Sequence, residues 1–350
     1  MKRTITIIGS GMMGSALAFP AFENGNEVRL VGTPLDREII EECKRSGKHP
    51  KFDRPFPEGV EYFQFEEWQE AVKGADFVIG GVSSFGVDWF LNEVLTYLDP
   101  AMPVLSVTKG LINLEDGTLI SYPAYWETEL LKKGISREVN AIGGPCTSYE
   151  LVFHDQTEVA FCGKSTAVIK MMKEAMQTSY YHISTTNDVI GLESAVALKN
   201  AYALGIALTI GLVNRQHGAE AGLHYNSQAG AFYQATKEMT RLLRIQGADE
   251  DSAVLGIGDL YVTVYGGRTR KIGILLGEGK TYEEAMNILA GVTLESLVVA
   301  RRVAKAIYRK AELGMVDLAD FPLMTHVNDV LEHGKDAELP WESFTFDNTR

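Results

Sequence analysis

The chain has 350 residues, roughly two domains' worth. Hydrophobic residues make up 45% of it and charged residues 23%, which builds folded cores and excludes a disordered or fibrous chain. The 46 acidic residues outnumber the 33 Lys and Arg, for a net charge of −13, so a nucleic-acid partner is not expected, although a few local cations can still draw an anion into one cleft.

The first element is Thr4 to Ile8, a β-branched run bounded by glycine that reads as a buried strand. A helix rich in small residues follows over Gly14 to Phe22, then a strand over Glu27 to Val31. Further strands are predicted at Phe77 to Val82, Pro103 to Val107, Ala141-Ile142 and Val159 to Phe161, with helices such as Phe65 to Val72 and Phe90 to Leu98 between them. Strands alternating with helices imply βαβ units and a mostly parallel sheet. After Asn187 the strand signals fade. Apolar residues recur at helical spacing in Glu193 to Val213, Ser227 to Ile245, Thr281 to Leu289, Leu297 to Ala311 and Met324 to His333. The expected fold class is therefore α/β: a Rossmann-type, mostly parallel domain over 1–186, followed by an all-helical domain over 187–350. The tail after Glu338 is polar and aromatic and is expected to be loosely held.

Cys43, Cys146 and Cys162 are widely spaced and suit a reduced compartment, with no disulfide framework and no zinc spacing. The histidines show no ligand motif either, so no metal is expected. The apolar stretch Ala201 to Val213 is too short to span a bilayer, and the N-terminal apolar run stops at Gly9. A soluble, cytoplasmic protein is the expectation.

Gly9-Ser10-Gly11-Met12-Met13-Gly14 is a G-x-G-x-x-G between a strand and a helix. The first glycine permits a tight turn, the second lets the backbone approach a pyrophosphate, and the third brings helix and strand together. A ribose-binding acid is expected about 20 residues on, at the end of the second strand. That strand ends Leu30-Val31-Gly32-Thr33, with no acid there. Arg37 either meets a 2′-phosphate or is a solvated arginine at a helix start, which leaves both NAD and NADP open.

Three cationic features stand out. Lys109 follows the strand Pro103 to Val107, where doubly wound folds bind ligands; the alternative is a solvated surface lysine. Lys199 sits in the nearly apolar run Ser194 to Leu204, and is either a buried acid/base lysine or one that snorkels to the surface. Gly258-Asp259-Leu260 leads to Gly266-Gly267-Arg268-Thr269, where Asp259 could hold a lysine and Arg268 a phosphate; a solvated basic loop is the alternative.

Together these pieces resemble the soluble NAD(P)-dependent glycerol-3-phosphate dehydrogenases, from about Ile5 to His333. The likeness is carried by the Gly9–Gly14 loop with Ser15-Ala16-Leu17-Ala18, by Thr108-Lys109-Gly110-Leu111 and by Gly144-Pro145 with Glu150. Asp188-Val189-Ile190-Gly191-Leu192-Glu193, Ala197-Leu198-Lys199-Asn200 and Gly258 through Thr263 to Arg268 complete it. The resemblance implies reversible hydride transfer between NAD or NADP and dihydroxyacetone phosphate. Lys199 would then be the general acid/base, Asp259 its charged partner and Lys109 a second active-site lysine. It implies substrate contacts at Asn200, Thr263, Arg268 and Thr269. Cofactor contacts are implied at Gly9, Ser10, Gly11, Met12, Met13, Gly14, Phe85, Lys109, Pro145, Arg268 and Glu295. A homodimer acting on a small phosphorylated substrate is the expected assembly. The chain departs from the family where Thr269 replaces the usual asparagine, where Val82-Ser83-Ser84-Phe85 replaces Val-Pro, and at Cys146, usually serine or asparagine. The first two departures keep in play a dehydrogenase of another ketose or polyol phosphate; a non-catalytic dinucleotide sensor is the further alternative.

Overall fold

The computed structural model describes residues 2–218, 222, 224–292 and 294–344. The main sheet holds β1 (Thr4–Ile8), β2 (Glu27–Val31), β3 (Glu61–Phe63), β4 (Phe77–Gly80), β5 (Val104–Ser106), β8 (Val139–Gly143), β9 (Thr157–Cys162) and β10 (Tyr181–Thr186); β6 (Leu111–Asn113) and β7 (Leu119–Ser121) form a separate two-stranded sheet. The helices of the first half are α1 (Met12–Glu23), α2 (Arg37–Ser46), α3 (Trp68–Ala71), α4 (Val87–Phe90), α5 (Tyr122–Lys132), α6 (Ser148–Val152) and α7 (Thr166–Met176). Those of the second are α8 (Val189–His217), α9 (Tyr225–Ile245), α10 (Ala253–Tyr265), α11 (Arg268–Gly277), α12 (Tyr282–Ile288), α13 (Glu295–Glu312) and α14 (Pro322–His333).

The chain divides into two compact units, Met1–Lys109 with Ser121–Glu193, and Gly110–Ile120 with Ser194–Arg350. A single cut between 186 and 187 does not describe this division. The β6–β7 hairpin belongs to the second unit because Leu111 and Leu119 enter its core, and Arg302 of α13 donates to the Leu111 carbonyl at 2.6 Å.

In the first unit the strand order is β10-β9-β8-β5-β4-β1-β2-β3. Neighbours run parallel except β8 and β9, which are antiparallel. Thr4–Ile8 takes the centre, paired with β2 on one side and β4 on the other, and Ile5, Ile7 and Ile8 are wholly buried, as expected of a β-branched strand covered on both faces. From β1 the chain winds to β2 on one side, while β4 leads to β5 on the other. The switch point between β1 and β4 is where such sheets open a ligand crevice. Arg137, itself buried, donates to the carbonyls of Leu98, Asp99 and Met102 at 2.7–2.8 Å and closes the turn before β5.

The second unit packs around α8. Its most apolar 18-residue window has a mean hydropathy of 1.6, and 89% of that window is buried within the protein, so the helix is a core element. Small residues let its neighbours come close. A Cβ on Gly256 of α10 would lie 2.7 Å from the Ala195 side chain, and one on Gly273 of α11 would lie 2.4 Å from that of Ala207. Glu238 of α9 is buried and accepts from the backbone N–H groups of Leu323 and Met324, at 2.7 and 3.0 Å, and from Gln234 Nε2 at 2.8 Å. It thereby caps the start of α14, and burial outweighs those bonds in pushing its carboxyl up to about 7. The tail is anchored further than the sequence suggests: Leu339 is buried, and Phe344, in ring contact with Trp341, packs on the core. Thr293 and residues 345–350 of the tail lie outside the described residues.

Candidate active site

The glycine loop sits at the end of β1. Gly9 has φ +113°, and a Cβ there would meet the Gly81 carbonyl oxygen at 2.6 Å; a Cβ on Gly14 would lie 2.0 Å from the Gly9 oxygen. These two glycines are required by the packing of strand, loop and helix. Gly11 differs, because its φ of −62° suits any residue and a Cβ there would meet nothing within 4 Å. The protein therefore gives no internal reason for Gly11; it borders open space at the N-terminus of α1, a 12-residue helix whose first N–H groups have no side-chain cap. The Ser10 hydroxyl beneath is buried without a hydrogen-bond partner. An anion-ready helix end, an open cradle above Gly11 and an unsatisfied hydroxyl together fit the pyrophosphate of a dinucleotide.

An acid from further along the chain reaches the glycine loop. Asp36 folds back so that one carboxylate oxygen accepts from Ser10 N at 3.2 Å, Thr33 N at 2.9 Å and Thr33 Oγ1 at 2.8 Å. The strand-end rule misses it because it stands five residues beyond Val31; the Thr-Pro turn ahead of a helix was the available signal. Arg37 points away from this cluster into an exposed ion pair with Glu66. Phe85, in the loop after β4, is 69% exposed, and Pro145 and Cys146 are half-buried after β8.

Lys109 lies just beyond β5, its ammonium donating to the Gly144 carbonyl at 3.1 Å. Glu193, at the start of α8, is 1% exposed, with both carboxylate oxygens buried and unpartnered. Burial pushes its carboxyl up to about 8, and the Lys109 charge acts against that rise.

In the second unit the question about Lys199 resolves toward burial. Its ammonium forms a hydrogen-bonded ion pair with Asp259, and the two side chains are only 13% and 2% exposed. The Ala195–Gly256 contact explains how: Lys199 follows Ala195 by four residues and Asp259 follows Gly256 by three, so both rise one turn beyond the closest approach of α8 and α10. Thr263, one turn further along α10, donates its hydroxyl to the Asp259 carbonyl at 2.8 Å. Asn200 is half-buried beside Lys199 in sequence. Gly267, at φ +90°, turns the chain into α11, which opens with exposed Arg268 and buried Thr269. Arg270 instead donates to the Val264 carbonyl at 3.3 Å and braces the turn. Glu295 opens α13. Among the described residues, no cluster of three or more His, Cys, Asp or Glu is placed to hold a metal ion.

Sequence models of the NAD-dependent glycerol-3-phosphate dehydrogenase N-terminus and C-terminus match residues 4–168 and 188–341. The chain is 35% identical over 347 residues to the NADP(+)-dependent glycerol-3-phosphate dehydrogenase of Archaeoglobus fulgidus, covering 98% of this chain and 99% of that protein. It is 27% identical over 335 residues to the glycerol-3-phosphate dehydrogenase [NAD(P)+] of Acidobacterium capsulatum, covering 94% and 93%. In fold it is similar to glycerol-3-phosphate dehydrogenase from Coxiella burnetii (TM-score 0.76, 22% identity, 98% of each chain) and from Plasmodium falciparum (TM-score 0.81, 19% identity, 100% and 96%). With both halves of the fold and nearly its whole length matched, the chain belongs to the NAD-dependent glycerol-3-phosphate dehydrogenase family and is an NAD(P)-dependent oxidoreductase.

Proposed function

We propose that the protein interconverts dihydroxyacetone phosphate and sn-glycerol 3-phosphate with NAD or NADP, the first unit holding the dinucleotide and the second the phosphorylated substrate. The observation that carries this reading is the Lys199–Asp259 pair, a nearly buried cation fixed by a fully buried acid between two apolar helices. When bound, the nicotinamide supplies or accepts the hydride at C2 of the substrate. Gly9, Ser10, Gly11, Met12, Met13 and Gly14 hold its pyrophosphate, with Phe85, Pro145, Lys109, Arg268 and Glu295 completing the contacts.

In the reductive direction, protonated Lys199 donates its proton to the oxygen that becomes the alcohol, and takes it back in oxidation. Asp259 orients the ammonium and keeps a desolvated lysine charged until it acts. Lys109 offsets negative charge as it grows on the same oxygen, an electrostatic contribution commonly of several kcal/mol. Arg268 binds the phosphate, aided by the open N–H groups at the start of α11 around Thr269, while Asn200 and Thr263 hold the polar substrate body. Binding energy from the remote phosphate thereby fixes the carbonyl in reach of Lys199.

The test is absorbance at 340 nm with dihydroxyacetone phosphate and either NADH or NADPH. Oxidation of one or both is expected; oxidation of neither, with dinucleotide binding intact, refutes the substrate and directs attention to larger ketose phosphates. Lys199→Ala should cut kcat by several orders of magnitude with little change in dinucleotide affinity. We also propose a homodimer, supported by a groove of about 500 Å³ on the second unit flanked by exposed Tyr225, Tyr233, Tyr261 and Tyr265, and testable by light scattering. We propose a cytoplasmic location because Cys43, Cys146 and Cys162 form no disulfide, and two of them are buried; fractionation tests it.

A further inference from the structure

A lysine is hard to aim. Its charge rides on a flexible four-carbon stem, so a lysine that must act on one oxygen needs its backbone fixed as well as its ammonium. At Lys109 the chain is held on both sides. One residue before it, buried Thr108 donates its hydroxyl to the Val82 carbonyl at 2.8 Å, and its N–H donates to Ser106 Oγ at 3.1 Å. The Lys109 ammonium donates to the Gly144 carbonyl at 3.1 Å. These three bonds lie in the first unit, and from Gly110 the chain belongs to the second. Two residues after Lys109, Leu111 is wholly buried, and its carbonyl accepts from the Arg302 guanidinium at 2.6 Å. A buried carbonyl needs such a donor. Asn113 returns the contact, donating its Nδ2 to the Arg302 carbonyl at 3.2 Å, so β6 is clamped through one residue of α13. The turn of the hairpin is pressed on the same helix. Gly117, at φ +81°, comes so close that a Cβ there would lie 3.0 Å from the Ala306 carbonyl oxygen, and Arg309 Nε donates to the Glu115 carbonyl at 3.3 Å.

We propose that Arg302 is a positioning residue for the reaction: by holding the Leu111 carbonyl it fixes the backbone from which Lys109 extends, and so where the ammonium stands. Only Gly110 separates Lys109 from the residue so held. With Leu111 released, the Gly110–Leu111 peptide turns, and the lysine stem that leaves the chain just before it swings as well. Arg302 takes no part in proton or hydride transfer, and Lys199 keeps the proton-transfer step. The inference rests on the role proposed above for Lys109.

Three variants grade the clamp. Arg302→Gln loses the reach to Leu111, Asn113→Ala removes only the reciprocal bond, and Arg302→Lys restores one donor. Arg302→Gln should lower kcat for reduction of dihydroxyacetone phosphate by about tenfold to 100-fold, the scale of a misplacement of about 1 Å, with little change in dinucleotide affinity. Asn113→Ala should fall between it and the wild type, and Arg302→Lys should recover most of the loss. The deciding kinetic step is a double-mutant cycle. Added to Lys109→Met, Arg302→Gln should cost less than about a further twofold, because the side chain it positions is gone. Full additivity overturns the proposal, since a merely structural loss would carry over unchanged. Independently of activity, reductive methylation of the cofactor-free protein, followed by mass spectrometry, should modify Lys109 faster in Arg302→Gln than in the wild type, with exposed Lys51 as the internal standard. A Lys109 rate no faster than in the wild type overturns the tether whatever the substrate proves to be. Should Arg302→Gln fail to fold, Asn113→Ala carries both readouts in its place. If the wild type reduces no dihydroxyacetone phosphate, the substrate reading fails while the methylation rates still decide on the tether.

Discussion

Gly11 and Gly14 offer a paired test of what the glycine loop is for. At Gly11, φ −62° and ψ 175° are open to alanine, and the added methyl meets no protein atom within 4 Å. Alanine there gains about 0.4–1 kcal/mol from a less flexible unfolded chain and loses a similar amount as a poorer N-cap than glycine, so stability should move by less than about 1 kcal/mol. At roughly 2–4 °C per kcal/mol for a unit of this size, the melting temperature changes by a few degrees at most. The methyl does fill the open space above Gly11, proposed to bring the pyrophosphate close to backbone N–H groups. A hydrogen bond to a charged group contributes about 1.5–3 kcal/mol, so spoiling one should weaken dinucleotide binding by about 10- to 150-fold. Gly14→Ala is the converse. Its methyl would lie 2.0 Å from the Gly9 carbonyl oxygen, a backbone atom with no rotamer to escape into, and overpacking of that kind costs about 1–3 kcal/mol or more. Thermal melts without cofactor and fluorescence titration with NADH and NADPH read the two effects separately. A Gly11→Ala protein that melts normally and binds both dinucleotides as tightly as the wild type would refute the assignment of the open space.

Other substitutions probe the remaining machinery. Asp259→Asn leaves Lys199 nearly buried without a compensating charge; kcat should fall by about 100-fold or more, and its pH profile should shift toward acid as Lys199 loses its proton more readily. Arg268→Ala should raise KM for dihydroxyacetone phosphate by at least about tenfold yet leave a phosphate-free analogue almost unaffected, and equal losses on both would mean that Arg268 does not read the phosphate. Glu238→Gln turns an amide N–H₂ toward the backbone donors it now serves, at a cost of about 1–3 kcal/mol read as a lower denaturation midpoint. Stability itself should depend on pH. Glu193 and Glu238 have folded values of about 8 and about 7, above an ordinary carboxyl, so the folded state holds more protons than the unfolded one between about 4.5 and 8. Their contribution is full at the acid end of that window and is lost as pH rises through it, so melts at pH 6 and pH 9 should show the wild type losing more than Glu193→Gln.

The strands of the first unit were legible where the chain is covered on both faces. Thr4–Ile8 and Glu27–Val31 appear with the bounds that their composition suggests, since a central parallel strand needs a continuous apolar run and shows it. The pieces that escaped are those whose neighbours decide them. β6 and β7 have three residues each and exist because α13 takes up their side of the hairpin. α10 contains Gly256, Gly258, Val262, Thr263 and Val264, weak helix formers in isolation; the close contact with Ala195 is what makes a glycine there favourable, and no local signal carries that information. The contact of Asp36 with the glycine loop escaped for the same reason, since its partner Ser10 lies 26 residues away.

The same long-range dependence explains why a lysine can sit inside α8. By length and composition this helix could cross a membrane, yet 89% of its most apolar window is covered by protein. An apolar stretch with Lys199 in it is unstable in either setting unless something answers the charge, and Asp259 answers it from a helix that only glycine and alanine allow to come near enough. A bulkier residue at either Ala195 or Gly256 should disturb the pair, and with it the acid/base role proposed for Lys199, without touching the substrate. Gly256→Ala, whose methyl would sit 2.7 Å from the Ala195 side chain, therefore tests the argument directly. It should lower kcat and shift its pH dependence while leaving dinucleotide affinity in the first unit intact, and a variant with wild-type kcat at every pH would show that the spacing of α8 and α10 does not set the behaviour of Lys199.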